Sequence, residues 1–224
     1  MDKLVRITEQ YETVVVPKLA SYLTIEIPTD KIAKLTDFVT RLVEYKLATD
    51  KKYQIDSGEL TKRCYNGFLG ELAIETLTGI DFMDWTIGHA NAYHIGDLAS
   101  MGYNVGVKSS ELGNFPVVPN NPTRPELICV IMSDTTVKVA GLAVKSVLFD
   151  YQSDALIKSG TLSAKGTKTG FYGFEALIPI RNLEELMMSI EPYPAFIIAP
   201  PPPGYIEAIP FQIAEPEPDF VYKQ

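Results

Sequence analysis

The chain has 224 residues, 46% of them hydrophobic and 21% charged, with a formal net charge of −8. That length suits one domain with or without arms, and the apolar share is enough for a sizeable core. The acidic balance excludes a protein that coats nucleic acid by charge alone, because phosphate binding rests on Lys and Arg. It leaves room for acidic metal ligands beside a local basic strip.

No apolar run approaches the roughly 20 residues of a bilayer-spanning helix, so no membrane partner is expected. The opening Met1-Asp2-Lys3-Leu4-Val5-Arg6 lacks the apolar core of a secretion signal. Cys64 and Cys129 stand apart in apolar surroundings, without CxxC spacing. A reducing, cytoplasmic setting is therefore the expectation. His89 and His94 do not make a zinc-binding spacing, and no P-loop, dinucleotide-binding glycine pattern or GxSxG elbow occurs. No nucleotide cofactor is expected.

In chain order, residues 1–28 are ambiguous, since Val14-Val15-Val16-Pro17 can close a helix or open a strand. Residues 30–47 read as a helix. Thr29 or Asp30 can cap it, and Ile32, Leu35, Phe38, Val39, Leu42 and Val43 recur at helical spacing. Residues 57–78 read as a second helix from Ser57, with Cys64, Phe68, Leu72 and Ile74 as its apolar stripe and Gly79 just past its end. From residue 92 the period changes to two, and 92–98 with 102–109 predicts a hairpin. Residues 114–125, rich in Asn and Pro, read as a connecting loop from which Arg124 could touch phosphate. The apolar run at 126–132 reads as a strand buried on both faces.

Ser133-Asp134-Thr135 reads as a turn, 136–149 as another strand, and 160–173 as a polar loop. A short strand at 174–180 and helical turns at 183–190 complete the core. From 192 to 219 the prolines, Pro200 to Pro203 among them, call for an extended, polyproline-like stretch. Its apolar residues, such as Phe196, Ile198 and Phe211, need burial against the body or in a homodimer contact. The expected organisation is an N-terminal helical segment at 1–56, an α/β core at 57–190 and a Pro-rich extension at 191–224. The fold class expected for the core is α/β, a central mixed β-sheet flanked by helices.

Three polar residues stand out by their placement. Glu71 lies inside the second helix, in Gly67-Phe68-Leu69-Gly70-Glu71-Leu72-Ala73. Asp97 ends the first hairpin strand, in His94-Ile95-Gly96-Asp97, and Lys108 lies on the next, in Asn104-Val105-Gly106-Val107-Lys108-Ser109. Alternation puts Val105 and Val107 on one face of that strand, with Asn104, Gly106 and Lys108 on the other. Gly67 and Gly70 weaken a helix, which points to close packing around Glu71. Each residue also has a plainer reading: a solvated helix carboxylate, a turn aspartate and a strand-edge lysine.

With these residues in this order, the chain resembles the PD-(D/E)XK nuclease superfamily of restriction-like endonucleases and resolvases over about residues 60–185. The resemblance implies a restriction-endonuclease-like fold and a metal-dependent DNA endonuclease, of a kind that phages and mobile elements carry. It implies Glu71, Asp97 and Lys108 as catalytic residues, Mg²⁺ or Mn²⁺ as cofactor and DNA as partner. Carboxylates suit such hard cations, which acidify bound water, while a neighbouring lysine stabilises charge developing on phosphate.

The family pattern places Asp or Glu two residues before the lysine, where this chain has Gly106. Two explanations are open. A displaced carboxylate, Glu111 or Glu71 itself, fills the gap, which makes Asp97, Glu71 and Glu111 the expected metal ligands. Alternatively the site has lost its chemistry, and the chain is a non-catalytic nuclease-fold protein that binds DNA or protein or serves in an assembly.

Overall fold

The computed structural model describes residues 3–49, 57–88, 96–158, 166–190 and 209–210. Helix α1, Lys3–Val14, buries Ile7 and Tyr11. It gives way to a 3-10 turn at Val16–Ser21, so the Val-Val-Val-Pro sequence closes a helix rather than opening a strand. Strand β1, Leu23–Glu26, follows, and then the long helices α2, Thr29–Thr49, and α3, Ser57–Thr78. Gly79, at φ 67°, donates its N–H to Glu75 O and ends α3. No helix among the described residues is long and apolar enough to cross a membrane.

The central sheet is mixed and takes the order β1-β6-β5-β3, built from β3 (Gly106–Glu111), β5 (Glu126–Ile131) and β6 (Thr136–Ala143) with β1 at one edge. β3 pairs with β5 in parallel, and the other neighbours are antiparallel. β5 is buried along its whole length, as its continuous apolar run predicts. Leu127, Cys129 and Ile131 face α2 and α3, where Leu35, Phe38, Leu69 and Leu72 complete one core. Ile128 and Val130 face the other side, with Tyr11, Phe115, Val118 and Phe171. The alternation therefore fills two cores from one strand.

A small second sheet covers that other side, in the order β4-β8-β7: β4 (Val117–Pro119), β8 (Lys168–Phe171) and β7 (Gln152–Ser153). Two short strands thus lie in segments that read as loops. Both are too brief and too interrupted by Pro and Gly to carry a period. β6 is also shorter than its sequence suggests. Its partner β5 begins at Glu126, which pairs with Ala143, so the ladder ends there and Lys145–Asp150 coil into helix α4. Residues 174–180 do not form a strand; they meet the sheet at one bridge, Leu142 with Ile178. Helix α5, Leu183–Ser189, starts at Asn182, whose side chain accepts from Glu185 N.

The N-terminal segment is more than helical, because β1 extends the central sheet and α2 supplies part of its core. Most of the Pro-rich stretch lies outside the described residues. Within it Ile209–Pro210 form β9, antiparallel to β2 at Thr86–Ile87.

Candidate functional site

The site is assembled around the first residues of β3. Helix α3 comes close to that strand because Gly70 has no side chain. A methyl group there would lie 2.7 Å from Ser109 Cβ and 2.9 Å from its hydroxyl. The Ser109 hydroxyl donates to Asn66 O on the same helix, fixing the approach. Gly67 meets nothing within 4 Å, so only one of the two helix glycines reflects close packing. Glu71 follows Gly70 and is half-buried beside the strand.

Only part of the predicted hairpin falls on described residues. Residues 92–95 lie outside the described residues, and strand geometry starts only at Gly106. Between them the chain turns through a 3-10 segment, Ala99–Met101, and Gly102 at φ 88°. Leu98 N donates to Val105 O at 3.0 Å. The fold leaves Gly96 no room for a side chain, since a Cβ there would be 2.6 Å from Val105 N. This turn carries Asp97 to the strand. Its Oδ2 accepts from Val107 N at 2.6 Å. Gly106 N donates the other way, to Pro125 O before β5, so the Asp97 carboxylate caps the side of β3 that no strand covers among the described residues.

On the other side of β3, Glu126 opens β5 directly opposite Gly106. Its side chain is 3% exposed although it ends in a carboxyl group, and it lies at the edge of an apolar core. A side chain at position 106 would overlap Glu126 Oε2, and its Cβ would be 3.0 Å from Arg124 Nε. Lys108 Nζ is 3.3 Å from Glu126 Oε2, and Arg124 Nε is 3.6 Å from Oε1. Lys108 Nζ also donates to Val107 O at 3.1 Å. Two cations and one carboxylate thus meet above a bare backbone position.

The charges are interdependent. Burial, reinforced by the charge of Asp97 and opposed by Lys108, pushes the Glu71 carboxyl up to about 8. Asp84 and Glu75 add to that rise. Burial also raises Glu126, against the pull of Lys108 and Arg124, and Asp97 contributes upward. Asp97 and Lys108 thus act on both Glu71 and Glu126, and at each of these two carboxyls burial and the charge of Asp97 favour a proton or another cation.

No family model, curated protein or solved structure matches the chain. Geometry alone therefore sorts the candidate residues. Glu71 feels the charges of Asp97 and Lys108. Glu111 stands at the far end of β3, held by Lys62 Nζ at 2.8 Å, beside a cleft of about 520 Å³ that Thr36, Tyr65 and Asp134 also line. Burial works to raise its carboxyl, but hydrogen bonds from Lys62 and Asn66 outweigh it and leave the group lowered. Glu111 lies five residues from Gly106, about 17 Å along the strand, and alternation turns it away from Gly106 and Lys108 toward the face that α3 covers, so distance along β3 rather than face separates it from Glu71.

Sequence reasoning missed Glu126 and placed Arg124 only on a loop. A usable signal was present: one carboxylate at the head of an otherwise apolar run that must be buried on both faces. The donor set suits a hard cation, being all carboxylate, and the buried Glu126 Oε2 is ion-paired to Lys108 at 3.3 Å without a well-directed hydrogen bond. Among the described residues no three acidic, His or Cys side chains are drawn together as a metal would hold them. Glu126 is turned instead to Lys108 and Arg124.

Glu75, one turn beyond Glu71, has a different role. Its Oε2 accepts from Phe82 N and Met83 N at 3.2 Å each, and Lys31 Nζ lies 3.7 Å from Oε1. It pins the exit of α3 and so the start of the segment that leads to Asp97.

Proposed function

We propose that the chain is a metal-dependent nuclease that hydrolyses phosphodiester bonds in DNA, with a restriction-endonuclease-like core of mixed sheet and α3. Asp97, Glu71 and Glu126 are the carboxylates that would hold Mg²⁺ or Mn²⁺, with Lys108 beside them. The position of Glu126 carries this reading. The carboxylate that the family pattern puts at residue 106 is replaced in space by one from the neighbouring strand, over the glycine that makes room for it.

The metal, when bound, would acidify a water and offset charge on the phosphate. The chain's own contribution is positional. Asp97 is anchored through Val107 N, which fixes its carboxylate at the strand edge. Glu71 approaches on a helix held by Gly70 and Ser109. Lys108 supplies a positive charge that a phosphate oxygen can use once Glu126 turns to the metal.

The test is cleavage of duplex, single-stranded and branched DNA with Mg²⁺ or Mn²⁺ and with chelator, using wild type, D97N and E126Q. Metal-dependent cleavage lost in both variants supports the reading. Cleavage that survives E126Q removes Glu126 from the site. A second reading is a nuclease-fold protein without catalysis that binds DNA or protein. The ion pairing of the cluster favours it, because Glu126 already faces Lys108 and Arg124 and Asp97 is tied to the backbone. DNA binding without cleavage in every metal would select that reading.

A further inference from the structure

We infer that Arg124 is a positioning residue, which holds the Glu126 carboxylate over Gly106 in the orientation that turns Oε2 toward Lys108, where a metal cation would compete for it. The inference rests on the metal-site reading above and adds a residue that acts only through another.

Three observations converge on it. Arg124 Nε lies 3.6 Å from Glu126 Oε1, whereas Lys108 takes the other oxygen at 3.3 Å. The guanidinium therefore borders one oxygen of the carboxylate, and the opposite oxygen faces the Lys108 ammonium. Arg124 is also well placed to stay there. Its side chain is 12% exposed, and Pro125 follows it, restricting its backbone to extended conformations. Gly106 N bonds Pro125 O, which anchors that backbone to β3. Finally, both charged heads rest on the same spot, because a Cβ at Gly106 would overlap Glu126 Oε2 and approach Arg124 Nε to 3.0 Å. Gly106 is the floor of the pair and Arg124 is its wall.

Arg fits this task better than Lys in one respect and is replaceable in another. Its planar, delocalised head keeps a fixed direction, but a Lys ammonium still supplies a donor and a charge. Partners that orient a metal ligand cost about 10- to 100-fold in metal affinity when removed. A guanidinium that merely repelled the metal would have the opposite sign, and its removal would tighten binding.

The experiment is calorimetric titration with Mn²⁺ of wild type, R124M, R124A, R124K, G106A, the R124M/G106A double variant and E126Q, with circular dichroism as the check on folding. R124M keeps the stem and so guards against collapse of R124A. We expect R124M to bind at least about tenfold more weakly and R124K to recover most of the loss. Because R124M and G106A both displace the same carboxylate, the double variant should lose no more than the weaker-binding single one. Wild-type or tighter binding by folded R124M, with binding lost in E126Q, overturns the role of Arg124 and leaves the metal site standing. Additive losses in the double variant also overturn it. Wild type without Mn²⁺ affinity, or E126Q binding like wild type, overturns the metal site itself and the Arg124 role with it.

Discussion

Glu126 and Gly106 face each other across the parallel β3–β5 pair, and the carboxylate of one occupies the space where the side chain of the other would begin. They form a complementary unit. The glycine is the condition for the acid to lie where it does.

Restoring an acid at 106 should therefore harm the protein. In G106E the new Cβ overlaps Glu126 Oε2, and a second carboxylate enters a pocket where burial already raises the first. Overpacking alone costs about 1–3 kcal/mol, and the charge adds to it. Thermal melting should show G106E well below wild type, with Mn²⁺ affinity not improved. A stable G106E that binds metal more tightly would mean that Glu126 is no substitute.

Asp97 has a structural task as well as a proposed ligand role. Removing its side chain in D97A leaves the Val107 N–H, on a buried residue, without its acceptor. That should lower stability by about 1–3 kcal/mol, whereas D97N keeps an oxygen for the bond. Urea unfolding of the two variants tests this. D97A as stable as wild type would show that Val107 N–H finds another partner. For assays of chemistry, D97N is thus the better control.

The two α3 glycines should respond with opposite signs. G67A meets open space, so helix propensity should stabilise the protein by about 0.5–1 kcal/mol. G70A drives a methyl against Ser109, and the overpacking cost of about 1–3 kcal/mol should exceed the same propensity gain. Denaturant midpoints of the pair settle it. Equal shifts in one direction would contradict the close approach of α3 to β3.

Glu71 should make stability depend on pH. Its carboxyl is pushed from an ordinary 4.5 up to about 8. Below 4.5 it is protonated whether the chain is folded or not, and pH has no effect through it. Between 4.5 and about 8 the folded state keeps a proton that the unfolded chain releases, so stability falls as pH rises across that window. E71Q stays neutral throughout. Its melting temperature should exceed that of wild type at the alkaline end and converge with it at the acidic end. Parallel curves would place Glu71 in a more solvated setting.

Helices α2 and α3 were legible because long amphipathic periods outweigh local detail, and β5 because a strand buried on both faces must be apolar throughout. The site was legible in part. Glu71, Asp97 and Lys108 stand out by their placement on or near predicted elements, and their proposed roles come from the resemblance. Glu126 is marked only as a lone carboxylate at the head of an apolar run, and its partner is set by register. Only the parallel pairing of β3 with β5 brings it opposite Gly106, and strand periodicity does not specify which strands pair or with what offset. Glu111 was attractive for the same reason in reverse: it is near in sequence but at the far end of β3. β4 and β8 were hidden by their brevity.

The seam between β1 and β6 bears on how the chain comes to be folded. Thr136 donates its hydroxyl to Glu26 across that seam, and the two residues are 110 apart in sequence. β5 and β6, joined by a turn at Ser133-Asp134-Thr135, can meet early at small entropic cost, but β1 closes a loop that spans α2, α3 and the whole candidate site. During synthesis β1 leaves the ribosome long before its partner exists. Ile25 and Ile27, buried in the finished core, must wait in the open or in a helper's keeping until β6 arrives. The edge strand is therefore the first part of the sheet to be made and among the last to be placed, and slow, concentration-sensitive refolding is what this connectivity prescribes.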